Sequence, residues 1–513
     1  MSISSLLYKN TKDFGDTVAF YEGSKKYTYT QFTQMVEDAK KILLKNGIKK
    51  GSRVILLEPI SVRLYVALMA IWDLGASVII FDPTATPDYI KRCLTRVEPD
   101  FFIGCKKAFL LKIKLSALRE IKKSILIDEL FSIKSKEPID FENSCDKSFE
   151  DLPALITFTS GSTGIPKVAV RTQGFLITQY KIIDKTMKYN EGDIDLAVLP
   201  VFTIANLAKG ISTVIPHKSF SKIATSSPKK TIEQIKKFGI TRITASPAII
   251  AKLADYLKQT GQEGCSVKTL NVGGGPIFPH LVQNVKDAFP NAKLLLVYGS
   301  TEAEPIAEVE YSNLTKAHFD SVASGAGLIG GYVTCDIDCC VIKNEKAHIG
   351  KITNEEFEKM KLHHDVGEIV VSGNHVLKGY LGGIGDDENK FDVGETRWHR
   401  TGDLGYFDKD GMLWLMGRAS AVISDEKGVV YPFAVESAVC EKFGIKRSAV
   451  TVSKGKRILV VQCSKEQLEN LEKIKAEFGI DIVLRIKNMP LDIRHHSKID
   501  YNKLKDFVEK SKV

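Results

Sequence analysis

Short apolar, β-prone runs alternate with helical stretches through most of this chain, and that alternation restricts it to layered α/β architectures. Arg53 to Leu57 (RVILL) reads as a buried strand, Leu64 to Leu74 repeats apolar residues at helical spacing, and Ser77 to Phe81 reads as a strand again. The same order returns further on: helix over Thr231 to Phe238, strand over Ile240 to Ala245, helix over Pro247 to Leu257. Lys293 to Val297 (KLLLV) then runs as a strand straight into Tyr298-Gly299-Ser300. Strands separated by crossover helices pair in parallel, so the fold class expected is α/β with layered subdomains. No repeat of 20 to 50 residues is present in the sequence, which excludes solenoids and propellers.

The texture changes after Arg400. Tyr406 to Gly417 (YFDKDGMLWLMG) reads as a hairpin turning at Asp408 to Gly411. Beyond it, helices are expected over Val435 to Lys442, Gln467 to Phe478 and Lys503 to Lys510, with strands over Ser448 to Val452, Ile458 to Cys463 and Ile482 to Ile486. This is the pattern of a small α+β unit. The 513 residues would suggest about three domains by length alone. The change of texture favours two unequal ones, residues 1–418 and 419–513, with a hinge near Arg418 to Ser420.

Charge supports the same division. The formal excess is +10, too dilute to argue for nucleic acid but compatible with an anionic ligand. Residues 419–513 hold 18 Lys/Arg against 13 Asp/Glu, about half of that excess. A second basic stretch runs through Lys106, Lys107, Lys112, Lys114, Arg119, Lys122 and Lys123. A solvated helix face is the first reading there, and contact with a membrane surface the second. The nine cysteines are scattered without Cys-x-x-Cys spacing, so neither a disulfide framework nor a zinc site is indicated. The stretch Leu64 to Phe81 is broken by Asp73 and Gly75 and is too short to span a bilayer, and no signal peptide is visible. A reducing, cytoplasmic setting is therefore expected.

The segment richest in chemistry is Thr159 to Lys167, TSGSTGIPK, which follows the apolar run Leu155 to Phe158. Ser160 to Ile165 contains three hydroxyl residues and two glycines, a loop of donors able to wrap an anion, and Lys167 adds a positive charge. The spacing is not that of a Walker A loop. Composition alone would read the segment as a linker. The full string, however, resembles the phosphate loop of the AMP-forming adenylating superfamily, which includes acyl-CoA synthetases, peptide-synthetase adenylation domains and luciferases.

Further motifs follow in that superfamily's order. Gly273-Gly274-Gly275-Pro276 resembles its glycine turn beside adenine, where backbone must approach a flat base. Tyr298-Gly299-Ser300-Thr301-Glu302 resembles its Y-G-x-T-E signature. The resemblance implies that Tyr298 stacks on adenine, Thr301 contacts the α-phosphate and Glu302 helps to hold Mg²⁺. Thr401-Gly402-Asp403 resembles the T-G-D whose aspartate binds both ribose hydroxyls, and Gly417-Arg418 the G-R that contacts nucleotide at the hinge. Lys498, in the string Ser497-Lys498-Ile499 after Met489-Pro490, resembles the catalytic lysine. The likeness extends from Tyr27-Thr28-Tyr29 to Leu504. It implies ATP and Mg²⁺ as cofactors, a small carboxylic acid as substrate, and CoA or a carrier protein as acceptor. Phe202, Thr203 and Ile204 lie on an apolar segment read either as core or as the wall of an acyl pocket.

Some positions depart from the common pattern. Ser420 stands where many acyl-CoA synthetases carry Asp or Lys, Ser497 replaces the usual Gly before the catalytic Lys, and Thr203 stands where many relatives place His. Together with Ile80-Phe81-Asp82-Pro83, Cys93-Leu94, Glu98-Pro99, Phe102-Ile103-Gly104 and Asp492-Ile493-Arg494-His495, these look like the olefin β-lactone synthetase branch. Four outcomes stay open: activation of a fatty or β-hydroxy fatty acid followed by transfer to CoA; β-lactone closure without CoA; loading of a carrier protein; and a non-catalytic nucleotide-binding role.

Overall fold

In the computed structural model, six strands form one sheet in the order Lys123–Leu126, Phe101–Gly104, Arg53–Leu57, Ser77–Ile79, Pro153–Thr159, Lys167–Thr172. The first five run parallel, as the strand–helix alternation predicts, and only the last pair is antiparallel. The structure describes residues 2–82, 85–135, 137–139, 141, 149–159, 165–217, 227–262, 266–344, 348–469, 471–492 and 497–511. Two compact units are present: residues 1–223, 237–241 and 374–388 in the first, and residues 224–236, 242–373 and 389–513 in the second.

The first unit is built around a helix that is apolar on nearly every side. Val62–Asp73 starts where the Ser61 side chain accepts from the Leu64 amide, and from Leu64 to Trp72 every residue is buried. The indole of Trp72 donates to the carbonyl of Ala154, tying this helix to the sheet at 2.7 Å. Four further strands of the unit pair in the order Ile194–Ala197, Ser212–Val214, Val18–Glu22, Lys25–Thr28. Phe20 from this group stacks on Tyr65 of the buried helix, joining both sheets to one core.

In the second unit, Arg242–Ala245, Thr269–Gly273 and Lys293–Ser300 run parallel. The chain then reverses, and Ala303–Glu310, Leu328–Val333, Leu413–Arg418, Thr396–Phe407, Gly367–Gly373 and Ile337–Ile342 continue the sheet antiparallel. The expected hairpin is present: Asp408 Oδ1 accepts from the amides of Asp410 and Met412, its Oδ2 from the Trp414 indole, and Gly411 takes a positive φ of 76°. The change from parallel to antiparallel falls at Tyr298–Glu302. In open α/β sheets, ligand sites gather beyond the carboxyl ends of the parallel strands, which here include Gly273 and Ser300.

The last part of the chain forms a three-stranded sheet of Arg447–Ser453, Lys456–Gln462 and Ile482–Arg485, covered by helices that include Pro432–Phe443 and Tyr501–Lys510. One expectation fails here. Instead of a single helix over Gln467 to Phe478 there are two, Lys465–Glu469 and Glu472–Phe478. Leu471 and Ile474 enter the core that Leu468 packs against.

Within this region Glu436 is fully buried. Its Oε1 accepts from the Val450 amide at 3.0 Å and from the Tyr501 hydroxyl at 3.1 Å, and burial pushes its carboxyl up to about 8. The folded chain thus keeps a proton that the unfolded chain releases near the ordinary value of 4.5. Stability from this site is full below that value and is lost as pH rises towards 8. Glu436→Gln is expected to gain about 1–3 kcal/mol over the parent at pH 8.5 and little at pH 5, measured by urea unfolding. An identical pH dependence in both proteins would refute the assignment.

Candidate active site

Two parallel strands and a hairpin bring a set of polar side chains together in the second unit. Gly273 ends one strand beside Val297 of the next, and Gly274 takes φ of 80°, a turn open to few other residues. Tyr298 lies two residues before the end of the neighbouring strand. Its hydroxyl donates to Asp403 Oδ2 at 2.9 Å, and burial together with that carboxylate holds its pKa well above the ordinary value. Gly299 is tight: a Cβ there would lie 3.1 Å from the Ala303 carbonyl oxygen. Ser300 Oγ accepts from the Ala303 amide at 3.2 Å, closing the turn that presents exposed Thr301 and half-buried Glu302.

Asp403 and Arg418 face one another across the hairpin, with Arg418 Nε 3.2 Å from Asp403 Oδ1. Arg418 also donates to the Thr401 carbonyl at 2.8 Å, and Asp403 raises its pKa further. Beneath them, Glu368 and Arg400 form a buried pair through two bonds of 2.8 and 2.6 Å. The other Glu368 oxygen accepts from the Gly402 amide at 3.2 Å, so this pair shapes the Thr401–Asp403 turn from inside. Each carboxylate oxygen has a second lone pair, which leaves Asp403 able to accept from a diol as well.

Lys498 joins this group. Its backbone is clamped by Asp492, whose Oδ1 accepts from the amides of Ser497 (3.1 Å) and Lys498 (2.8 Å) and whose own amide donates to the Lys498 carbonyl at 2.8 Å. Residues 493–496 between them lie outside the described residues. Ser497 packs against the glycine turn so closely that a Cβ on Gly275 would come within 2.6 Å of its Cβ. Lys498 keeps much of its surface open to solvent, yet protein surrounds its amine closely enough to matter. Desolvation and Arg418 lower its pKa, and Asp403, Asp492 and Glu302 oppose that shift. Pro276 adjoins the glycine turn and is half-buried.

The first unit carries the other sequence-derived residues. Thr159 pairs with Lys167 across the two antiparallel strands, and Ser160, Gly161, Ser162, Thr163 and Gly164 lie outside the described residues. Lys167 is nearly buried; its amine reaches Glu388 at 3.0 Å and sits 5.8 Å over the Tyr380 ring. Gly385 covers the stem of that lysine, where a Cβ would come 2.8 Å from its Cδ. Arg96 donates to the carbonyls of Pro166 and Leu381, bracing the end of the loop. Phe202, Thr203 and Ile204 are buried in the helix Pro200–Lys209, and Ile204 belongs to the main core of the unit.

Sequence reasoning missed Glu368, Arg400 and the clamp by Asp492. The first two had only a faint signal, Arg400 preceding T-G-D and a lone Glu in an apolar strand. Asp492 stands in a segment that resembles one branch of the superfamily, with no sequence sign of its bonds. Chemically, the second-unit group offers an aromatic ring, a glycine turn without side chains, a diol-accepting carboxylate, a hard oxygen donor at Glu302 and two cations for an anion.

The AMP-binding enzyme family matches residues 7–381. An olefin beta-lactone synthetase of Xanthomonas campestris pv. campestris is 27% identical over 490 residues, covering 90% of this chain and 86% of that protein. A 4-coumarate–CoA ligase of Petroselinum crispum is 24% identical over 473 residues, covering 88% and 81%. Among solved structures, the anthranilate CoA ligase AuaEII in complex with anthranoyl-AMP superposes with a TM-score of 0.81 at 15% identity, covering 99% of this chain and 97% of that one. The O-succinylbenzoate CoA synthetase of Bacillus subtilis in complex with ATP and magnesium ion gives 0.77 at 19% identity, covering 98% and 99%.

The charges around Lys498 make its titration a direct probe of this geometry. Its amine is expected to titrate below an ordinary lysine, still lower in Asp403→Asn or Asp492→Asn, and higher in Arg418→Gln. The pH profile of amine methylation at Lys498, read by peptide mass spectrometry, measures each shift. The same midpoint in all four proteins would contradict the arrangement.

Proposed function

The chain belongs to the AMP-binding enzyme family, and from that premise we propose an ATP-dependent ligase that activates a fatty or β-hydroxy fatty acid as its acyl-adenylate. One observation carries the reading: Lys498 converges with Arg418, Asp403 and Glu302 beside the Tyr298 turn. Forming an adenylate brings a carboxylate against the α-phosphate of ATP. Two such charges 4 Å apart repel by about 4 kcal/mol at an effective dielectric of 20, so positioned cations are the first requirement. Lys498 bridges the carboxylate and the α-phosphate as the carboxylate oxygen bonds to phosphorus and pyrophosphate departs in line.

The other roles follow the resemblance residue by residue. Tyr298 and the turn Gly273-Gly274-Gly275-Pro276 take the adenine, Asp403 the ribose hydroxyls, Arg418 and Thr301 the phosphate side. Thr159 to Gly164 and Lys167 serve the outer phosphates. The acyl chain is assigned to Phe202, Thr203 and Ile204. Glu302 suits Mg²⁺ as a hard oxygen donor, and no cluster of three or more metal-binding side chains occurs among the described residues. The ion would complete its shell with phosphate oxygens and water, and would neutralise charge on the departing pyrophosphate. Residues 419–513 act as the domain that delivers Lys498.

The acceptor divides the reading. The 4-coumarate–CoA ligase relative points to transfer to CoA, which makes CoA a candidate cosubstrate. The likeness to olefin beta-lactone synthetases over 90% of the chain favours closure by the substrate's own hydroxyl. In that step the β-oxygen bonds to the acyl carbon, AMP leaves with the former carboxylate oxygen, and the hydroxyl proton goes to solvent or base.

Lys498→Ala is expected to lower ATP–pyrophosphate exchange by about 10²-fold or more while leaving the unfolding transition intact. Normal exchange in that variant would sink the assignment. Acid panels with ATP and Mg²⁺, with and without CoA, separate the second steps. A β-lactone formed without CoA supports closure, an acyl-CoA formed only with CoA supports transfer, and failure of exchange with every acid would indicate a non-catalytic relative.

A further inference from the structure

The basic stretch that follows the strand Phe101–Gly104 has a consequence outside the reaction. Lys106–Lys114 is a helix whose two faces differ sharply. Ala108 is buried, and Phe109 and Leu111 pack into the core beside Phe102 and Ile121. Lys112 also turns inward, its amine donating to the Ile121 carbonyl at 2.7 Å. Outward stand Leu110, 61% exposed, and Ile113, 67% exposed, the two most exposed large hydrophobic side chains among the described residues. At 3.6 residues per turn, Leu110, Ile113, Lys106, Lys107 and Lys114 share an arc of about 120°. Two aliphatic tips are thus set among three ammonium groups.

The surroundings strengthen this face. Residues 106–123 contain seven Lys/Arg and one acidic residue, Glu120. Lys106, Lys107, Lys114, Arg119 and Lys122 are exposed and make no ion pair among the described residues. Two large aliphatic side chains in water serve no folding purpose, and each cation repels its neighbours. An anionic, apolar-backed surface relieves both costs.

We propose that this helix docks the protein on an anionic lipid surface, with Leu110 and Ile113 entering the headgroup–acyl boundary and the lysines meeting lipid phosphates. The composition favours lipid over a protein partner. Protein interfaces are enriched in aromatic residues, Met and Arg and depleted in Lys, whereas the outward arc carries only Leu, Ile and Lys. The attachment is peripheral, since no helix among the described residues is long and apolar enough to cross a membrane. It is also reversible, because one short helix inserts little apolar area.

Co-sedimentation of the full chain with phosphatidylcholine vesicles, and with vesicles of phosphatidylcholine and phosphatidylglycerol in equal parts, tests the proposal. Binding is expected only to the anionic vesicles and is expected to fall as salt is added. Each lysine near such a surface strengthens binding about fivefold, so Lys106→Glu/Lys107→Glu/Lys114→Glu should lose well over tenfold. Leu110→Ser/Ile113→Ser should weaken binding severalfold yet keep its salt dependence. All these positions are exposed, so both variants should keep the parent's ATP–pyrophosphate exchange without vesicles. No vesicle binding by the parent, equal binding to neutral vesicles, or charge variants that bind like the parent would overturn it. So would binding of an acidic carrier protein in place of vesicles.

Discussion

The candidate site depends on one electrostatic arrangement, the buried pair of Glu368 and Arg400 under the Thr401–Asp403 turn. Both side chains lie almost wholly out of water. A buried charge without its partner is strongly destabilising, so the pair holds only if both partners are fixed. The strands Gly367–Gly373 and Thr396–Phe407 fix them by running side by side. The free Glu368 oxygen then captures the Gly402 amide, and the Thr401 hydroxyl donates to the Ile369 carbonyl at 2.8 Å. The turn is therefore held from beneath, leaving Asp403 to face Tyr298 and Arg418.

Charge is balanced across the group with little surplus. Arg418 is neutralised mainly by Asp403, and Lys498 sits near both a cation and three carboxylates. An amine placed this way is well placed to meet an incoming anion, because no carboxylate among the described residues ion-pairs it in advance. Asp492 contributes to position more than to charge, through its bonds to the backbone on either side of Lys498. The burial of Glu436 acts at a further remove: its bond to the Tyr501 hydroxyl ties the helix after Lys498 to the core.

Much of the architecture is written in local pattern. The runs RVILL and KLLLV are strands because β-branched and aliphatic residues crowd a buried pleat, and the hairpin near Asp408 follows from its turn chemistry. The glycine turn and the Tyr298 turn fall at strand ends, where the sequence puts them. The broken helix near Leu471 was not legible, because helical spacing extends across 467–478 with no Gly or Pro to mark an end. The partner of Lys167 was equally hidden: the fold sets its amine beside Glu388, far away in sequence.

The sequence by itself determined the α/β class and the positions of the strand-end turns. Those properties depend on neighbours within a few positions, where propensity, periodicity and motif spacing act. Only the tertiary structure decided that Tyr298 meets Asp403 105 positions later, that Glu368 supports the turn from inside, and that Asp492 clamps Lys498. These depend on strand register and on where buried charges find partners. The first two contacts are long-range, and the third spans six positions that no motif of this sequence marks.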